Sequence, residues 1–267
     1  MSILSLKHVT KTFGGLTAVD DVSFELEPET VMGLIGPNGA GKTTVFNLIT
    51  GNYKPDSGNI VFEGTAIEGW ITHRIVELGV SRTFQTIRLF QNLSVMENVL
   101  AGCHCRMKSG AISAMLRTRS QRAEEEKAFH LALTQLEFVG LRPYANHLAK
   151  NLSYGNQRLL EIARALATGP RLLILDEPAG GMNEQETDNL IRLIGKMRER
   201  GLTILLIEHD MGLVMEACGH IVVIEYGRKI AEGTPDEIKE NPKVIEAYLG
   251  TEDEEADEIE DAAAGSE

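Results

Sequence analysis

No stretch of this 267-residue chain approaches the ~18 consecutive apolar residues that a membrane-spanning helix needs. The longest apolar runs, such as Ile204-Leu205-Leu206-Ile207, have the length of one strand. Cysteine is scarce, with only Cys103, Cys105 and Cys218, and an odd, small count fits free thiols, not a disulfide framework. Cys103-His104-Cys105 offers ligands at i and i+2 with no matching pair elsewhere, which fits no usual zinc spacing. The first residues, MSILSLKHVTK, lack the basic start and long apolar stretch of a secretion signal. The expectation is a cytosolic chain whose membrane role, if it has one, runs through a partner.

Positive charge is also short: 26 Lys and Arg face 39 Asp and Glu, for a net charge of −13. Nine of the acidic residues and no basic one fall in 251–267, which leaves the first 250 residues at −4. No global basic field exists for nucleic acid. The acidic, Ala-rich end reads as a disordered, solvating tail. No internal repeat and no sustained heptads are present, which argues against solenoids and long coiled coils. Hydrophobic residues at 43% and charged residues at 24% are ordinary for a globular chain of one large domain or two small ones.

Against these absences stands Gly36-Pro37-Asn38-Gly39-Ala40-Gly41-Lys42-Thr43-Thr44, which fits G-x-x-x-x-G-K-[ST]. The apolar run Val31-Met32-Gly33-Leu34-Ile35 reads as a buried strand before it, and 43–50 as a helix after it. Glycines let successive backbone N–H groups turn toward one anion, and the helix N-terminus adds partial positive charge. Lys42 is expected to reach the β- and γ-phosphates and Thr43 to hold Mg²⁺.

Residues 3–27 alternate polar and apolar and read as two strands around Gly14-Gly15, and 59–64 as another strand after the turn Pro55-Asp56-Ser57-Gly58. Phe13, in the first turn, is placed either to stack on an adenine or simply to pack. A short helix over 72–78 precedes a strand over 79–84 that ends at Gln85. Residues 94–150 are helical in composition, with apolar positions Ala128, Leu131, Ala132, Leu136 and Val139 at helical spacing. Arg117, Arg119, Arg122 and Lys127 are interrupted by Glu124-Glu125-Glu126, so they read as a solvated face.

A helix over 157–167 carries the stripe Leu159, Ile162, Ala163 and Leu166, with Ser153 as its N-cap. Ser153 and Gly155 at that helix start form a second potential anion site. Leu172-Leu173-Ile174-Leu175 reads as a strand buried on both faces and ends in Asp176-Glu177, where open α/β sheets bind ligands. Adjacent strand residues point opposite ways, so the two acids are expected to do different work. Asp176 fits the Mg²⁺-holding acid of a phosphate-loop ATPase, and Glu177 a base or water-orienting carboxylate. A helix over 184–198, a strand over 202–208, a hairpin around Tyr226-Gly227 and a final helical segment over 235–249 complete the chain. His209 sits directly at the end of the 202–208 strand.

The order of these features resembles the ATP-binding subunits of ABC transporters. In that resemblance GPNGAGKTT is the phosphate loop, Phe13 the adenine-stacking aromatic, and Gln85 the glutamine that links Mg²⁺ and attacking water to the membrane subunits. LSYGN at 152–156 is similar to the family's signature motif, LLILDEP at 172–178 to its acidic strand, and His209 to its switch histidine. KTFGGLTAVDDVSF, RTFQTIRLFQNLSVMENV, ILLIEHDMGLVM and IAEGTPDEI with NPKVIEAYLG look like the longer ATPase subunit of branched-chain amino acid uptake systems. Two departures stand out: Asn156 where the signature usually ends in Gln, and Asn183 where the loop after Glu177 usually ends in Asp.

The resemblance implies an α/β fold, a phosphate-loop ATPase core with an antiparallel β subdomain and a helical subdomain inserted at about 86–160. It implies one domain over 1–250. It also implies ATP and Mg²⁺ as cofactors, with Thr43, Gln85 and Asp176 around the metal and Ser153 and Gly155 facing the ATP of a second ATPase subunit. The implied partners are that second ATPase subunit, two multi-span permease subunits at the cytoplasmic face of the membrane, and indirectly a substrate-binding protein. The segment 86–100, with Leu89 and Phe90, is the expected permease contact, or else part of the core. Importers of urea or short amides, lipid exporters and soluble ABC ATPases are the alternatives.

Overall fold

A computed structural model describes residues 2–106 and 119–248. Arg117 and the acidic tail lie outside the described residues. The chain forms two compact units, one made of residues up to Trp70 with those from Leu205 onward, the other of Ile71–Ile204.

The first unit opens with β1 (Leu4–Phe13) and β2 (Leu16–Leu26), an antiparallel hairpin with Leu4 opposite Leu26 and Phe13 opposite Leu16. The alternation seen in the sequence is realised: Leu4, Leu6, Val9, Val22, Phe24 and Leu26 are all buried. The wholly buried β3 (Val31–Ile35) runs into the phosphate loop and α1 (Lys42–Ile49). Then β4 (Ser57–Phe62) pairs antiparallel with β1, and β5 (Thr65–Ala66) with β4. This antiparallel sheet has the order β2-β1-β4-β5.

The second unit contains α2 (Thr72–Leu78), β6 (Val80–Arg82), α3 (Val95–Cys103), α4 (Arg119–Phe138), α5 (Tyr154–Ala167), β7 (Leu172–Asp176) and α6 (Glu184–Glu199). Ser94 and Glu97 close a capping box at the start of α3, and Asn183 and Glu186 do the same for α6. On α4 the expected stripe is buried at Ala128, Ala132 and Leu136, while Arg122 and Lys127 are exposed. Cys103 is buried at the end of α3 and Cys105 is exposed.

Three details differ from the sequence reading. The strand expected over 79–84 ends at Arg82, although the Thr83 amide still bonds the Ile174 carbonyl at 2.9 Å. Helix α5 begins at Tyr154, three residues before the first residue read from its apolar stripe, because the Ser153 cap sets the start. Of the pair read as a permease contact, Phe90 is 54% exposed, but Leu89 is buried at 9%.

Strand β8 (Thr203–Ile207), buried throughout, carries the chain back into the first unit. There follow α7 (Met211–Ala217), β9 (His220–Glu225), β10 (Arg228–Gly233) and α8 (Pro235–Lys239). β9 lies parallel to β3, and β10 folds back on β9 through Tyr226 and Gly227, whose φ values are 44° and 80°. The order β10-β9-β3 belongs to the first unit, and β7 pairs parallel with β6 in the second. β3, β7 and β8 are buried along their whole length, which explains why they read as continuous apolar runs and not as alternation.

Candidate active site

The phosphate loop is shaped by its main chain. Gly36 has φ 149°, and a Cβ there would lie 1.9 Å from the Ile224 carbonyl oxygen. Gly41, the N-cap of α1, has φ 102°, and a Cβ there would lie 2.3 Å from the Ala18 carbonyl oxygen. Only glycine satisfies both the dihedral and the space. The Gly227 amide fixes the loop from outside by bonding the Ala40 carbonyl at 3.0 Å. Pro37 accepts from the Ala40 amide at 3.2 Å, while Asn38 and Gly39 are exposed. The Lys42 ammonium folds over the loop and donates to the Gly36 carbonyl at 2.5 Å and the Pro37 carbonyl at 2.8 Å. Thr43 is exposed in the first turn of α1, next to Thr44, and no side chain caps that helix. A curled loop, a half-charged helix start and a cation at one place fit a polyphosphate.

Phe13 is 41% exposed and meets Tyr53 edge-on, with ring centroids 5.0 Å apart. The Lys11 ammonium lies 5.3 Å from the Phe13 ring centre. Lys11 and the Thr12 amide both donate to Asp56, and they hold its carboxyl below the usual carboxylate value. The sequence reading missed Tyr53; its place in the loop directly after the phosphate-loop helix was the available signal.

In the second unit, the two acids at the end of β7 have separate partners. Asp176 is nearly buried and pairs with Arg82 at 2.7 Å, and its amide donates to the Thr83 hydroxyl at 3.3 Å. Glu177 lies just past the strand with φ 46°, a conformation that non-glycine residues rarely adopt. Its carboxylate accepts a hydrogen bond from the Gln85 side-chain amide at 2.9 Å. The two acids therefore have different surroundings, and strand alternation is not the whole cause: the turn at Glu177 re-aims the second acid.

Ser153 caps α5, its hydroxyl accepting from the Asn156 amide at 3.4 Å. Gly155 is buried, and a Cβ there would fall 2.5 Å from the Glu186 carboxylate. Tyr154 packs its ring on Gly181, where a Cβ would lie 2.9 Å from the ring. The apolar stripe read for α5 is only partly right. Ile162, Ala163 and Leu166 are buried and Leu159 is half-buried, while Leu160 and the charged side chains of Arg158 and Glu161, which lie off that stripe, are buried as well. Mixed charges at 158, 161 and 164, one helical turn apart, were the signal that the stripe concealed. Burial pushes the Glu161 carboxyl up, against the opposing pull of the Arg88 amide, Arg164 and Arg158.

In the first unit, His209 follows β8 and is 65% exposed, with its ring 3.7 Å from the buried Glu208 carboxylate. Asp210, next in sequence, caps α7. Among the described residues, no helix is long and apolar enough to cross a membrane.

These features define an ATP-binding cassette, and the chain belongs to the ABC transporter family, whose family model matches residues 19–180. It is an ATPase coupled to transport. A second family model, described as Branched-chain amino acid ATP-binding cassette transporter, matches residues 228–254. The chain is 49% identical to the high-affinity branched-chain amino acid transport ATP-binding protein BraF of Pseudomonas aeruginosa, over 93% of this chain and 98% of the relative. The same figures hold for the corresponding protein LivG of Escherichia coli. A solved nucleotide-free ATP-binding cassette from an ABC transporter is similar at 34% identity and TM-score 0.82, over 93% of this chain and 99% of that one. A cassette solved in its ADP conformation matches at 33% identity, also with TM-score 0.82, over 94% of this chain and 99% of that one.

Proposed function

We propose that this chain is the ATP-hydrolysing subunit of a membrane importer for branched-chain amino acids. It works at the cytoplasmic face with two multi-span permease subunits, a second ATPase subunit and, through the permeases, a substrate-binding protein. The observation that carries this reading is the 49% identity to BraF and LivG over nearly the full length of both chains.

Phosphoryl transfer asks the protein for positioning and charge stabilisation. Phe13 and Tyr53 offer aromatic surface to the adenine. The amides of the 36–44 loop and the Lys42 ammonium neutralise the phosphates. Mg²⁺, when bound, would neutralise charge on the phosphate oxygens, and Thr43, Gln85 and Asp176 would offer the oxygen ligands that suit such a hard cation. Glu177 orients the attacking water and takes its proton. His209 donates to the γ-phosphate. Ser153 and Gly155 close on the γ-phosphate held by the opposite ATPase subunit, so closure follows ATP binding and reopening follows hydrolysis. Phe90 meets the permease, and the closing motion is transmitted there.

The test is capture of the tagged chain from gently solubilised host membranes, followed by labelled-leucine uptake in cells lacking it. Recovery of two multi-span proteins and a second ATPase, with leucine uptake lost, is the expected result. Recovery of the complex with normal leucine uptake would move the cargo to urea or amides. Recovery of ribosomes or nucleic acid would remove the transporter reading.

A further inference from the structure

Helix α5 turns three charged side chains toward the peptide segment that carries Gln85. Arg158 donates from Nη1 to the Phe84 carbonyl at 2.7 Å and from Nη2 to the Gln85 carbonyl at 2.5 Å. Arg164 donates to the Arg88 carbonyl at 2.5 Å, and Glu161 accepts from the Arg88 amide at 3.4 Å. The Arg158 and Glu161 side chains are only 4% and 2% exposed and pair with each other at 3.5 Å. The same Arg158 nitrogen that holds Gln85 also donates to the Tyr154 hydroxyl at 3.1 Å. Tyr154 in turn lies on Gly181, four residues past Glu177. The Gln85 side chain donates to Glu177.

Burying an arginine is expensive in lost hydration, and an apolar helix face would pack as well. What an apolar face cannot do is hold main-chain carbonyls at fixed points. The guanidinium is a rigid planar fork that reaches two carbonyls at once, where an ammonium acts as a point charge. Because its grip is on backbone, any shift of the α5 start shifts the Gln85 peptide with it.

We propose that Arg158 is a positioning residue for ATP hydrolysis. Its guanidinium ties the Ser153–Gly155 turn to the Gln85 peptide, and through the Gln85 amide it sets where the Glu177 carboxylate stands. This inference rests on the roles given above to Gln85 and Glu177. It adds a path inside one subunit by which closure at the Ser153 turn reaches the catalytic base.

The test uses the transporter complex isolated through the tagged chain, with Arg158→Lys, Tyr154→Phe, Gln85→Ala and the pairwise doubles. Arg158→Lys is expected to lower kcat for ATP about 10–100-fold, the scale of an ångström of misplacement, with KM for ATP little changed. Tyr154→Phe, which removes one hydrogen bond and keeps the ring on Gly181, is expected to lower kcat about 2–5-fold. In the Gln85→Ala background both effects should vanish, because partners in one network are non-additive. Equal effects in both backgrounds, an effect on KM alone, or no effect would overturn the inference. If Arg158→Lys lowers the melting temperature enough to prevent assembly, the Tyr154→Phe cycle decides in the same way. Normal turnover in Gln85→Ala alone would sink the Gln85 reading, and this inference with it. An impaired Gln85→Ala with independent Arg158 effects would sink this inference only.

Discussion

The phosphate loop and the end of β7 are held in place by opposite means. At the loop the constraint is backbone: a methyl on Gly36 or Gly41 would run into the carbonyls of Ile224 or Ala18 at 1.9 and 2.3 Å. At the end of β7 the constraint is side chain: Arg82 on Asp176, Gln85 on Glu177, and Arg158 on the Gln85 peptide. A backbone cradle presents fixed amides to phosphates whose charge is always there. Side-chain hydrogen bonds can be exchanged, which suits the roles in turnover proposed for the two acids. The comparison teaches that the binding half should fail in ATP affinity on substitution, and the catalytic half in turnover or stability.

Gly36→Ala is the sharpest way to break that contrast. A strained φ alone costs about 1–3 kcal/mol and the carbonyl clash adds to it, so ATP affinity should fall roughly tenfold or more. Isothermal titration with ATP checks this, and an unchanged affinity would mean that the loop is not the rigid cradle described. Next is Arg82→Met, which leaves the Asp176 carboxylate buried without its cation. Loss of one partner of a buried pair costs roughly 3–5 kcal/mol, read as a fall in denaturation midpoint. A midpoint equal to wild type would show that Asp176 finds another partner at once.

The smallest effect belongs to a third kind of constraint, the capping box at α3. The Ser94 amide and then the Ser94 hydroxyl hold the Glu97 carboxyl below its ordinary value of 4.5. A lowered native pKa means stability that is present above pH 4.5 and lost as pH falls through the native value. Glu97→Gln should therefore flatten the acid side of the melting-temperature profile and change little near neutrality. Superimposable acid limbs would contradict it.

Much of the molecule was legible in the sequence, and the exceptions share a cause. The glycine spacing of the phosphate loop, the buried runs at Val31–Ile35 and Leu172–Asp176, and the period-2 hairpin at the start depend on residue type and local spacing alone. The Gln85 and Glu177 positions were also readable, and the structure brings their side chains into contact. Arg82, Arg158, Glu161 and Tyr154 were not, because their partners lie far along the chain: Arg82 meets Asp176 across 94 residues, and Arg158 meets Phe84 across 74. A charged residue on an otherwise apolar helix reads as an exposed edge until the carbonyls it grips are known. The end of β6 and the burial of Leu89 likewise depend on tertiary neighbours and not on local pattern.

The most direct measurement is ATP hydrolysis and ATP binding by Glu177→Gln, made side by side in the assembled transporter. Loss of a general base lowers turnover by about 10²–10⁴-fold. The account predicts a loss on that scale with ATP affinity unchanged, so that ATP stays bound and phosphate is not released. Turnover at the wild-type rate would remove Glu177 from the chemistry and, with it, the reading of the β7 end as the catalytic half.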